Sequence, residues 1–255
     1  MCITGCDRTK KLPAHTHKAE WGYSAVNGPD VWGQLNREYI LCAEGTRQSP
    51  IDIVNPVQTQ LPAISYEYYP ATGVDIHNDG HTIEVAYPEG SGIHIDSTYY
   101  QLLQFHFHAP GEHTVAGKQC DMEMHLVHQS KAGDLAVVGL LIESGRHHPG
   151  FDPIWADLPA DPLETRRIEN VVIDLDLMLS PNGQMRDQAV PAFPSTYRYD
   201  GSLTTPPCTE GVKWIVLTMP AEMSESQIAA FKAIIHGNNR PVQPLNGRKL
   251  FLDVT

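Results

Sequence analysis

The 255 residues carry 18 Lys and Arg against 30 Asp and Glu, a formal net charge of −12, with no block of basic residues. A nucleic-acid partner needs a basic face, so the charge speaks against one and otherwise bears on solubility rather than fold. At 41% hydrophobic residues the chain reads as an ordinary globular protein, and no stretch approaches the roughly 20 apolar residues of a membrane span.

Residues 1–18 are polar and read as a tail, and 19–255 as a single domain without long linker or repeat. The tail holds Cys2, Cys6 and an HxH pair, His15 and His17, which in a tail is more often solvated than metal-bound. Ile3-Thr4-Gly5-Cys6 resembles the end of a bacterial lipoprotein signal with Cys6 as the acylated residue; a chance four-residue match is the alternative. Then come short alternating segments: ISYEYY (64–69), HTIEVAY (81–87), TYYQLLQFHFH (98–108) and DMEMHLVHQ (121–129). The apolar run LAVVGLLI (135–142) and KWIVLTM (213–219) continue the pattern, and Gly, Pro, Asn or Asp clusters separate the segments, as strands require. A short helix is expected near PIWADL (153–158). A better-marked one starts at Ser224, with Gln227 completing a capping box, an apolar stripe of Ile228, Phe231, Ala233, Ile234 and Ile235, and Gly237 as its stop. Strands dominate and helices are peripheral, so the fold class is α+β.

Side chains two apart in a strand share a face. His106 and His108 therefore project together with Gln104, while Phe105 and Phe107 point into a core. Glu123 and His125 share a face in the next segment, opposite Met122, Met124 and Leu126. If the two strands are neighbours, three imidazoles converge, a donor set that suits a zinc ion with one open position. Gln104 and Glu123 each sit two residues before a proposed ligand, placed to accept that imidazole's second N–H. A lone strand histidine is usually a satisfied polar residue, and His113, His128, His147 and His148 read as structural or exposed. The spacing of HFHAPGE also fits the first metal motif of cupins, in which Glu112 would be a fourth ligand and iron or manganese the metal. The usual later cupin segment is not found at a sensible distance.

The segments QSPIDI (48–53), NDGHTIEV (78–85), QFHFHAPGEHT (104–114), MEMHLVH (122–128), LAVVG (135–139), YDGSLTTPPCTEGVKWIV (199–216) and NNRPVQPLN (238–246) occur in one order. Together, from about Trp21 onward, they closely resemble the alpha-class carbonic anhydrases, in a compact bacterial form with a short turn at Ala109-Gly111. The resemblance implies a large, twisted, mostly antiparallel central sheet of about ten strands with short peripheral helices. It implies one zinc per chain on His106, His108 and His125, with Gln104, Glu123 and Asn238 behind them. The reaction implied is reversible hydration of CO2 to bicarbonate and a proton by attack of zinc-bound hydroxide. Thr204 and Glu112 would orient that hydroxide, Thr205 would line the same wall, and Val127, Val137, Leu203 and Trp214 would hold CO2. His81 would shuttle protons through waters ordered by Tyr23 and Asn78, with Glu84 raising its pKa. Cys42 and Cys208 fall where exported members carry a disulfide, which implies a periplasmic or extracellular protein. Cys120 is left free or pairs between two subunits of a homodimer. A catalytically silent binding module on the same fold is the remaining alternative; such modules usually lack one of the zinc histidines, and all three are here.

Overall fold

A computed structural model describes residues 21–184 and 195–254. The tail, with Cys2, Cys6, His15 and His17, lies outside the described residues.

Ten strands form the main path of one sheet: β1 (Val57–Thr59), β2 (Val74–Asn78), β3 (Ile83–Ala86), β4 (Thr98–His108), β5 (Met122–Ser130), β6 (Leu135–Ser144), β7 (Thr165–Ile168), β8 (Thr196–Ser202), β9 (Glu210–Leu217) and β10 (Phe251–Asp253). Their spatial order is β7-β2-β3-β4-β5-β6-β9-β8-β10-β1, and neighbours run antiparallel except β6–β9 and β10–β1. Helices are few and short, so the expected sheet-dominated α+β architecture holds. The long central strands are the segments whose alternation was clearest. The short strands β1, β2, β7 and β10, and β8, were not foreseen.

The pleat splits the interior in two. Phe105, Phe107, Met122, Met124 and Leu126 enter the larger apolar cluster, which the helix Glu225–Lys232 covers with Ile228 and Phe231. Val137, Leu141, Tyr199, Val212 and Trp214 form a second cluster on the opposite face. This second face carries the polar residues of β4 and β5. Between β4 and β5 the register slips at Val127/His128, pairing Val127 with Gln104 but His128 with Leu102. Beyond that bulge His128 lies fully buried in the larger core, its Nε2 3.0 Å from the Tyr68 hydroxyl.

The capping box at Ser224 and Gln227 forms as expected. The helix itself stops at Lys232, so Ala233 is exposed rather than part of an apolar stripe, and Gly237 turns the chain with φ +76°. A helix is also present at Asp152–Trp155. Cys42 and Cys208 are bonded, while Cys120 is a free thiol at 8% exposure. A bridge between subunits through Cys120 would first have to uncover it.

Candidate metal centre

The β4–β5 register sets His125 opposite His106 and Glu123 opposite His108. One ring nitrogen from each of His106, His108 and His125 falls within 4.8 Å of the others. The opposite nitrogen of each ring is already committed. His106 Nδ1 donates to Gln104 Oε1 at 2.9 Å, His108 Nδ1 to the Asn238 carbonyl at 2.7 Å, and His125 Nε2 to Glu123 Oε1 at 2.8 Å. Because each acceptor fixes a tautomer, the lone pairs of His106 Nε2, His108 Nε2 and His125 Nδ1 are the ones left to converge. His108 Nε2 is buried without any hydrogen-bond partner. Burial pushes the pKa of all three rings below the ordinary value, most strongly at His106, where the two neighbouring imidazoles add to it. Neutral imidazoles are what a metal ion needs.

Glu123 is the hub behind this cluster. Its Oε2 accepts the backbone N–H groups of Glu112 and His113 at 2.8 Å each, and its Oε1 also accepts from His113 Nδ1 at 2.7 Å. Burial works against its charge, yet His113 and His125 hold its carboxyl well below the usual range. His113 Nε2 in turn accepts from the Tyr199 hydroxyl at 2.7 Å, and Ser49 Oγ lies 2.8 Å beyond. The sequence did not single out this His113–Tyr199–Ser49 chain, because its members come from three distant segments with no shared spacing.

Glu112 is 1% exposed. Its Oε1 accepts the Arg240 backbone N–H at 2.8 Å; its Oε2 has no partner and lies 3.9 Å from His125 Nδ1. Burial raises its pKa to about 7, with the His125 ring and the Thr204 hydroxyl pulling the other way. Glu112 does not fall within the three-histidine donor group. Thr204 is buried at 5% exposure in the loop after β8, where Leu203 N–H bonds the Thr209 carbonyl and Cys208 N–H the Thr205 carbonyl. The Cys42–Cys208 bond and the buried Arg240 tie this loop down; Arg240 donates to Gln48 Oε1 and to the Ser49 and Cys42 carbonyls. Val127, Val137, Leu203 and Trp214 share the second apolar cluster, and the Trp214 ring lies 4.8 Å from His125.

His81 stacks on Trp21 at 3.8 Å and its Nε2 donates to the Trp21 carbonyl at 2.9 Å. Asn238 links it to the histidines, donating to the carbonyls of His81 and Phe107 and accepting from Ala109 N–H. Tyr23 packs edge-on against Trp21 and Trp32; burial, with Glu112 and Asp79 adding to it, keeps its hydroxyl neutral. Asn78 and Glu84 have close partners of their own. Asn78 is 1% exposed, its amide donating to the Pro159 carbonyl and accepting from Gly80 N–H. Glu84 stands opposite His77 and His106, and the charges that act on it are those of Asp79 and His77 and not that of His81. Burial raises its own pKa.

Comparison with known proteins gives a consistent result. The family model for eukaryotic-type carbonic anhydrase matches residues 27–254. The carbonic anhydrase of Nostoc sp. is 40% identical over 92% of this chain and 87% of its own length, and that of Klebsiella pneumoniae is 41% identical over 93% and 92%. A solved structure of the alpha-carbonic anhydrase from Thermovibrio ammonificans, in complex with the inhibitor sulfanilamide, superposes with a TM-score of 0.81 at 40% identity over 91% of this chain and 99% of that one.

Proposed function

The chain belongs to the alpha, or eukaryotic-type, carbonic anhydrase family, and from that premise we propose that it is an exported zinc enzyme whose ligands are His106, His108 and His125. The reaction of the family is the interconversion of carbon dioxide and bicarbonate. The observation that carries the metal assignment is the buried, partnerless His108 Nε2, facing two further lone pairs whose rings are each locked from behind. Three neutral imidazoles with no fourth protein donor fit zinc with one open position. Zinc held there supplies a Lewis acid that makes hydroxide available near neutral pH.

The chain's own residues do the rest. Gln104, Asn238 and Glu123 hold the tautomers. A threonine hydroxyl has one proton to give; Thr204 giving it to the open Glu112 Oε2 turns the hydroxyl lone pairs toward the cavity. Thr205 continues that wall. Val127, Val137, Leu203 and Trp214 offer an apolar surface to a nonpolar gas. At His81 the Nε2 proton is held by the Trp21 carbonyl, which leaves Nδ1 to take a proton and pass it to buffer, with Tyr23 beside the route.

Glu112 keeps one oxygen on a backbone N–H and stays outside the histidine group, which speaks against the cupin alternative. All three histidines converge, which speaks against a silent binding module. The Cys42–Cys208 bond supports an oxidising compartment, periplasmic or extracellular. Among the described residues no helix is long and apolar enough to cross a membrane. Acylation at Cys6, the domain span 19–255 and a homodimer stand as parts of the same proposal.

Stopped-flow CO2 hydration on the purified protein, its zinc-stripped form and a zinc-restored sample tests the reading. Fast hydration that vanishes on stripping and returns with zinc is expected. One zinc bound per chain with no hydration would overturn the enzyme.

A further inference from the structure

A cavity of about 500 Å³, with no histidine in its lining, lies against β8, β9 and β10. On the β8–β9 ladder Tyr199 pairs with Trp214; both border the cavity, while the Trp214 ring packs against His125 on the histidine side. The flanking pairs, Asp200 with Lys213 and Arg198 with Ile215, alternate to the other face. The cavity takes its floor from Ile64, Ile95, Ile215 and Phe251 and its cations from Arg47, Arg198, Lys213, Arg248 and Lys249.

That charge is out of keeping with the molecule. The chain has a net charge of −12 and only 18 basic residues, yet five of them line this one cavity, against the acids Asp96 and Asp200. Arg47 is neutralised by Asp200 at 3.1 Å and Arg198 by Asp253. Arg248 spends its donors on the carbonyls of Leu245, Asp200, Gln48 and Pro244. Lys213 and Lys249 are exposed and have no ion pair or hydrogen bond among the described residues. Two flexible ammonium groups therefore stand over an apolar floor with Asp96 as the one uncommitted acid. The N-terminal tail, with Arg8, Lys10, Lys11 and Lys18 against Asp7, shares the sign of the rim and is no match for it by charge.

We propose that this cavity is a binding site, separate from the metal centre, for a small organic monoanion with an apolar body, of the medium-chain carboxylate kind. The apolar chain lies on the isoleucines and Phe251, and the carboxylate meets Lys213 and Lys249 at the mouth. A volume of this size, mostly apolar with a few convergent polar groups, is what small-molecule sites have in common.

Isothermal titration with sodium octanoate, on zinc-loaded and on zinc-stripped protein, tests the site. One saturable event of equal affinity in both forms is expected. Lys213→Glu with Lys249→Glu should weaken it about tenfold, since each exposed charge pair contributes a fraction of that factor, and so should raising the salt to about 0.5 M. The double variant should hydrate CO2 within about twofold of the parent, because neither lysine reaches the histidine face. No saturable binding overturns the proposal. So does binding that disappears on zinc stripping, which would put the carboxylate on the histidines, and so does affinity unchanged in the double variant or matched by 1-octanol.

Discussion

Each imidazole of the metal centre rests on a different kind of acceptor, and the three should not fail alike. Gln104 makes one side-chain bond to His106, so Gln104→Ala should weaken zinc about tenfold in a chelator competition and leave the melting temperature nearly unchanged. Glu123 accepts two backbone N–H groups and two rings in a fully buried place. Glu123→Gln puts an amide donor against one or more of those donors, so it should weaken zinc by up to about a hundredfold and also lower the melting temperature. Thr204→Val keeps the shape and removes the hydroxyl; zinc content should stay at one per chain while kcat/KM falls about a hundredfold. Gln104 and Glu123 were legible in the sequence because the two-residue period of a strand puts acceptor and ligand on one face. Asn238 was legible only through its family, since its partner His108 is 130 residues away. The bond from the Asn78 amide to the Pro159 carbonyl was not legible, because period and motif say nothing about a partner 81 residues away.

At the scale of elements, the two-residue alternation of β5 gives two uses of histidine on one strand. His125 faces the metal side, whereas His128 is delivered into the larger core. Burial drives its pKa from 6.5 to about 3. Below pH 6.5 the unfolded chain takes up a proton there that the folded chain refuses, so stability falls as the pH drops through the window from 6.5 to about 3. The slope from this residue alone is up to about 1.4 kcal/mol per pH unit. His128→Met should flatten the acid side of the stability curve, measured by urea unfolding between pH 6.5 and 4. The two histidines look alike in MEMHLVH, but the strand period parts them: His128 falls on the face of Met122, Met124 and Leu126, and His125 on the other. Length limited the reading of other strands: β2, β7 and β10 run three to five residues, too short for alternation to stand out.

Over the whole molecule, the Cys42–Cys208 bond spans 166 residues. Chain entropy gives such a loop up to about 5 kcal/mol, so Cys42→Ser with Cys208→Ser should lower the melting temperature by several degrees. It should also lower kcat, because the loop of Thr204 loses an anchor. This pairing was another feature that only the likeness to exported relatives brought out, since five thiols cannot be sorted by spacing. The bond has a consequence in time. In an exported chain Cys42 enters the oxidising compartment early and Cys208 late, and Cys120 comes between them. During that interval Cys42 can pair wrongly with Cys120, or with Cys2 and Cys6 before it. Once Cys120 is buried its pKa stands at about 11, and it no longer competes. Closure of the sheet thus withdraws Cys120 as a competitor, and Cys120→Ser should raise the yield of correctly bridged protein when the reduced, unfolded chain is oxidised before it can fold.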